Sequence, residues 1–387
     1  SWRFIMSELN ASNLRKEHGN EGPDLVGLTE LTSPYFMVPP SGSTAERPQN
    51  PEPGTLRFNT TLGSLEYFKG INLGWESIDR TTPNLGGGTG SNAGTGARAL
   101  YSSGATPSNT DVIDMVTVST LGNATDFGDS TVARFGFEGC GSRTRGLFFG
   151  GRTPTPQSVI DYNTFATIGN SIDFGDITAR QMSGCCSNQT RGLCIAGNNH
   201  PSPNNYNIIE YVTIAQTGNA FDFGDTTGTV YGFGCTATAS STRGVYAHAT
   251  SGGVNNIVEY VTISTFGNGK DFGDLTYLAQ SGASFSNSTR ALFGGGYNSP
   301  TGVNTINYLT IATLGNAIDF GDLTAGVYEF DACSNQTRGL WMGGMAPSNV
   351  NTIDYVTILT TGNAADFGDL TGTIKDGAAA CNAQGGV

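Results

Sequence analysis

Residues 316–324 read NAIDFGDLT, and near-copies stand at residues 123–131 (NATDFGDST), 170–178 (NSIDFGDIT), 219–227 (NAFDFGDTT), 268–276 (NGKDFGDLT) and 363–371 (NAADFGDLT). A catalytic motif is needed once. Six copies point to architecture. The first Asp of each DFGD falls at Asp126, Asp173, Asp222, Asp271, Asp319 and Asp366, in steps of 47, 49, 49, 48 and 47 residues. A second element keeps the same beat around Arg98, Arg145, Arg191, Arg243, Arg290 and Arg338, mostly as TRG or TRA. A third runs VIDMVTV, VIDYNTF, IIEYVTI, IVEYVTI, TINYLTI and TIDYVTI.

These elements predict strands, because β-branched and apolar residues alternate or run for a few positions before Gly, Asn or Pro intervenes. Each period holds about four strands, which is the signature of a β-propeller blade. With 56 Gly and only 13% charged residues in 387, long amphipathic helices are excluded. The last DFGD is followed by LTGTIKDGAAACNAQGGV, which stops where TRG should come, while the strand at Arg98 lacks a predecessor. The C-terminal strand is therefore expected to complete the blade begun at Arg98. The predicted fold is all-β: a six-bladed propeller of four-stranded blades over residues 97–387, closed by its C-terminal strand. An extended arm (1–53), a small β-meander (54–80) and a Gly-rich linker (81–96) precede it.

Within the repeat, Phe127, Phe174, Phe223, Phe272, Phe320 and Phe367 are expected to pack between blades. The Gly that follows each permits a turn closed to residues with a Cβ. The flanking acids (Asp126 and Asp129, Asp173 and Asp176, Asp222 and Asp225, Asp271 and Asp274, Asp319 and Asp322, Asp366 and Asp369) are expected to accept backbone N–H bonds. The six Arg are expected to lie mostly buried, within hydrogen-bond reach of a carboxylate, with those of DFGD as candidates, or of a backbone carbonyl; the alternative is that each is solvated at a strand start. A cation site lacks the ligand density of a calcium loop, and a kinase DFG would need partners that are missing. Cys140, Cys186, Cys235, Cys333 and Cys381 share one position and predict a small buried side chain on an inner strand, with Cys185 and Cys194 incidental. Seven Cys make neither a disulfide framework nor a zinc site. No cofactor is expected.

The net charge of −13 argues against nucleic acid as a partner. No apolar run reaches the length of a membrane span. The loops after the Arg elements vary most between repeats. The longest, 198–207, brings Asn198, His200, Asn204 and Tyr206 as candidate contacts for a sugar or protein ligand. A glycan-cleaving rival would need two placed carboxylates, and Glu138, Glu329 and Asp331 are the non-repeated acids to inspect. In the meander, Leu56, Phe58, Leu65, Tyr67 and Trp75 are too apolar for a free 25-residue piece, so another surface is expected to cover them.

The stretch PPSGSTAERPQNPEPGTLRFNTTLGSLEYFKG, followed by Trp75, resembles a short module of tail-fibre and other appendage proteins of tailed bacteriophages. The DFGD and TRG repeats resemble the kelch-like propellers of virion proteins from marine phages, especially cyanophages. The kelch double Gly is present at Gly150–Gly151 and Gly343–Gly344, whereas YAHA replaces it at Tyr246, and the usual kelch Trp is missing. The resemblance implies a non-enzymatic virion structural protein. It would contact other virion proteins through residues 6–80 and meet a host-surface glycan or protein with its propeller, or serve as a scaffold for its neighbours. It also implies a homo-oligomer, with a trimer favoured.

Overall fold

The computed structural model describes residues 39–61, 64–71, 74–77, 98–200, 205–250 and 254–383. Most of the expected arm, the linker at 81–96 and Asn204 lie outside the described residues. The chain divides into two compact units, Ser1–Arg80 and Thr81–Val387. Among the described residues there is no α-helix, and one 3-10 turn (Thr44–Glu46) interrupts an otherwise all-β chain.

The first unit is a four-stranded sheet, not a three-stranded meander. Ser41–Gly42, from the expected arm, pairs in parallel with Leu56–Asn59, which pairs with Ser64–Phe68 and then Trp75–Ser77. Its enclosed face is polar. Glu66, with no exposure, holds Arg47 at 2.6 Å and Arg57 at 3.3 Å and accepts from Asn59 at 3.0 Å. Strand alternation then sends Leu56, Phe58, Leu65 and Tyr67 to the opposite face. There Leu56 is exposed and the other three are half-buried, while Trp75 is half-buried with Arg47 and Arg57 over its ring.

The second unit contains six four-stranded antiparallel sheets. Sheet I is Ala378–Cys381, Arg98–Thr106, Ser108–Thr117 and Thr125–Asp129. Sheet II is Glu138–Gly141, Arg145–Phe149, Val159–Thr164 and Ile172–Asp176; sheet III is Gly184–Ser187, Arg191–Ile195, Ile208–Thr213 and Phe221–Asp225. Sheet IV is Val230–Ala239, Arg243–Thr250, Asn255–Thr262 and Lys270–Ala279; sheet V is Ala283–Ser286, Arg290–Gly294, Thr305–Thr310 and Ile318–Asp322. Sheet VI is Asp331–Ser334, Arg338–Met342, Thr352–Thr357 and Ala365–Asp369. The C-terminal strand pairs with the Arg98 strand as expected, Ala378 opposite Ser102 and Cys381 opposite Ala99. First strands touch in the order II, III, IV, V, VI, I, and that of sheet I touches that of sheet II.

Among the described residues the core is divided into six apolar clusters, one at each junction between consecutive sheets, including VI with I. The DFGD strand explains how they are filled. In every sheet the pairing of third and fourth strands slips by one residue at this motif; in sheet II, Ile160 faces Gly175 and Asp161 faces Asp173, leaving Phe174 as the extra residue. Such a bulge re-aims its side chain, and all six Phe are buried, at 3% exposure or less. The Gly supplies the positive φ, from 145° to 151°. The first Asp caps the bulge where Gly128 N–H donates to Asp126 (3.1 Å) and Gly175 N–H to Asp173 (3.2 Å). The five repeated Cys are buried at strand-one positions, as predicted. Cys185 and Cys194, expected to be incidental, instead face each other across the first two strands of sheet III.

Candidate functional site

Three devices recur at the junctions, two of them unchanged at all six. First, the Gly-Asn of one copy clips onto the DFGD of the preceding sheet. Gly169 N–H donates to the Phe127 carbonyl (2.9 Å), Ser171 N–H to the Asp129 carbonyl (2.7 Å), and Asn170 Oδ1 accepts from Asp129 N–H (3.1 Å). At the VI–I junction the corresponding bonds are Gly122 to Phe367 (3.0 Å), Ala124 to Asp369 (2.7 Å) and Asp369 N–H to Asn123 (3.1 Å). Second, at five junctions the Thr after DFGD donates to the third-strand acid of the next sheet, as Thr131 to Asp161 (2.6 Å), Thr324 to Asp354 (2.7 and 2.8 Å) and Thr371 to Asp114 (2.8 Å); at IV–V that place is held by Asn307, whose Oδ1 accepts from Thr276 N–H (2.7 Å). Third, each repeated Arg reaches a main-chain carbonyl of the next sheet. Arg98 reaches Phe165 (2.5 Å), Arg145 Ile214 (3.0 Å), Arg191 Ile263 (2.8 Å), Arg243 Ile311 (2.6 Å), Arg290 Ile358 (3.1 Å) and Arg338 Val118 (3.0 Å).

Of the two acceptors expected for these Arg, a carboxylate or a backbone carbonyl, the carbonyl is the one they take. In the five repeats from Arg145 onward the guanidinium lies on a Tyr of its own sheet, as Arg145 on Tyr162 (4.7 Å) and Arg338 on Tyr355 (4.7 Å). That Tyr meets the DFGD Phe edge-on, at 5.9 Å for Tyr162 with Phe174 and 6.1 Å for Tyr355 with Phe367. The bulge turns Phe inward and leaves the first Asp of each copy exposed, so the carboxylates lie where water solvates them and the carbonyl is the acceptor within reach.

The variable-loop candidates separate. Asn198 is buried and structural: its Oδ1 accepts from Gln181 (3.1 Å) and from His200 N–H (3.2 Å). His200 is exposed, with its Nδ1 3.4 Å from Arg152 of the neighbouring loop, and Tyr206 is half-buried beside Asn199 (3.4 Å). Arg152, which the sequence reading did not single out, joins His200 as a loop group of this face.

The structure brings the non-repeated acids together. Gly136, Met182, Gly234, Ser281, Glu329 and Asp376, one from each sheet and at or just before its first strand, all have positive φ (54° to 105°). Five of these backbones bond in sequence, with Glu329 N–H to Ser281 O (3.1 Å), Asp376 N–H to Glu329 O (2.7 Å), Gly136 N–H to Asp376 O (2.8 Å) and Met182 N–H to Gly136 O (2.7 Å). The mouth they line also contains Glu138. Glu138 hydrogen-bonds Asp331, whose carboxylate accepts from Ala379 N–H (2.5 Å) and Ala332 N–H (2.6 Å). Burial, then Asp331, pushes the Glu138 carboxyl well up; burial raises Asp331 to about 7 against its two N–H donors. Burial and the neighbouring Glu329 raise Asp376 to about 7, although Lys375 stands 2.5 Å from Glu329.

Two fully buried arginines were also missed by the sequence reading. Arg134 pairs with Asp161 at 3.0 Å and Arg180 with Glu210 at 2.8 Å. In sheet IV, His248 lies 3.3 Å from Glu259, and burial of that acid is outweighed by bonds from His248, Thr227 and Tyr246, which hold it at about 2. Arg134 and Arg180 occur in two repeats only, so their shared position soon after DFGD was the available signal.

Among the described residues no cluster of three or more His, Cys, Asp or Glu is arranged to hold a metal ion, and no helix is long and apolar enough to cross a membrane. No known protein family and no curated protein matches the chain.

Proposed function

We propose that the chain is a non-enzymatic structural protein of a phage virion. In this reading its six sheets are the blades of a kelch-like β-propeller, its first unit anchors it to the particle, and the propeller presents variable loops to a host-surface glycan or protein. The observation that carries the propeller is the VI–I junction, where a strand from residues 378–381 and all three fastening devices link the last sheet to the first. The half-exposed apolar face of the first unit supports anchoring or self-association, with a trimer favoured. The virion assignment rests on the resemblance of residues 39–75 and of the repeats. Against a glycan hydrolase stands the direct contact of Glu138 with Asp331, since two-carboxylate mechanisms separate the groups by about 5–10 Å.

A second reading, docking of neighbouring virion proteins, is favoured by a row of exposed apolar side chains beside the clips: Leu121 (58%), Ile168 (64%), Phe221 (66%), Phe266 (59%) and Ile318 (57%). Glycan-array and host-cell binding by the intact chain separates the two. Loss of binding when residues 198–207 are replaced by a short Gly-Ser loop supports attachment. Absence of any binding, with capture of purified virion proteins lost on Phe221→Ser, moves the assignment to scaffolding.

A further inference from the structure

The repeats allow one junction to be read against another. At I–II, the third-strand acid Asp161 takes two partners: Thr131 and the buried guanidinium of Arg134. That guanidinium also lies 4.8 Å from the ring centre of Phe137. The approach to sheet VI keeps the aromatic and the acid of this pattern but not its cation. Arg134-Phe-Gly-Phe137 becomes Val327-Tyr-Glu-Phe330, so the aromatic is kept, the acid is kept as Asp354, and the cation is replaced by Val.

A cleft of about 100 Å³ stands there, lined by Val327, Phe330, Trp341 and Asp354, with Ala346 and Val350 of a variable loop at its side. Asp354 is 5% exposed and accepts from Thr324, and among the described residues no basic side chain pairs with it. Burial raises its carboxyl above the usual range. A buried carboxylate without a counter-charge is costly, and an aromatic face attracts a cation. A cavity of about 150 Å³ accommodates a benzene ring, so a planar ion smaller than benzene matches this one in size.

We propose that the V–VI cleft is a binding site for a guanidinium group, which takes its charge partner from Asp354 and stacks against Phe330 and Trp341 as Arg134 does against Phe137. A free guanidino compound and an arginine side chain of a partner protein present the same group. Methylguanidinium and N-acetyl-arginine amide are the two probes, titrated into the intact chain by calorimetry against potassium chloride of equal ionic strength. One site is expected. Asp354→Asn should weaken binding at least tenfold, and Val327→Arg, which supplies the cation from within, should abolish it. Arg134→Ala should open an equivalent site at I–II and raise the stoichiometry from one to two. Tighter binding of the arginine amide assigns a protein side chain as the natural occupant; equal or weaker binding assigns a small molecule. The proposal is overturned if methylguanidinium binds Asp354→Asn as well as it binds the parent, or binds neither. Because Asp354→Asn keeps the shape of the side chain, its folding, checked by circular dichroism, keeps the test decisive where the other variants fail to fold.

Discussion

Replacing Arg338 by Met tests the junction between the last sheet and the first. The guanidinium donates to the Val118 carbonyl at 3.0 Å and lies 4.7 Å from the Tyr355 ring centre and 5.9 Å from that of Phe367. Met keeps much of the aliphatic packing, so the loss is mainly polar. A hydrogen bond from a charged donor contributes about 1.5–3 kcal/mol, and a cation over an aromatic ring in a partly exposed place about 0.5–1 kcal/mol. The expected cost is therefore about 2–4 kcal/mol. Arg290 makes the same contacts one junction earlier, with Ile358 at 3.1 Å and Tyr308 at 4.6 Å, so Arg290→Met should cost the same. Both are read as shifts in the urea midpoint at constant slope. If Arg338→Met costs less than about 0.5 kcal/mol while Arg290→Met costs the full amount, the VI–I contact does not hold in solution and the reasoning fails. Combining Arg338→Met with Arg191→Met, at a separate junction, should add to within about 0.5 kcal/mol.

Stability should fall as pH rises from about 4 to 7. Asp331 and Asp376 are raised to about 7 in the folded chain, so their favourable contribution is full below the unfolded value near 4 and gone above 7; thermal melts of the parent and of Asp331→Asn check this, and an unchanged slope in the variant refutes the role of Asp331. Gly224→Ala and Gly218→Ala separate contact from backbone strain. Both have positive φ (151° and 155°), but a Cβ on Gly224 would lie 2.5 Å from the Gly267 carbonyl while one on Gly218 meets nothing within 4 Å. Gly224→Ala should therefore cost about 1–3 kcal/mol more by denaturant titration, the usual cost of overpacking.

Period, strand content and the pairing of the C-terminal strand with Arg98 were legible because they depend on local alternation and on where the repeat is cut. The inward Phe was legible for the same reason: one aromatic next to a Gly, at a fixed place in each copy. The choice between the two acceptors expected for the Arg was not, because a carbonyl acceptor has no letter in the sequence while the nearby acids do. The Asn of each Gly-Asn was visible six times, yet its partner is the main chain of another repeat. Glu138, Glu329 and Asp376 are far apart in the chain and unrepeated, so only the arrangement of sheets VI, I and II brings them to one mouth. The polar interior of the first unit also escaped, since alternation locates two faces without saying which is covered.

The fastening devices divide each motif between two sheets: Gly-Asn serves the preceding sheet, and the Thr after DFGD serves the following one. A tandem duplication of one whole period would therefore arrive with both halves of its couplings already matched to the neighbours on either side. Growth or shrinkage of the array by one unit requires no new chemistry at any junction, only a change in the tilt between adjacent sheets. Individual units are then free to diverge where the couplings are silent, as the exchange of Arg134 for Val327 illustrates.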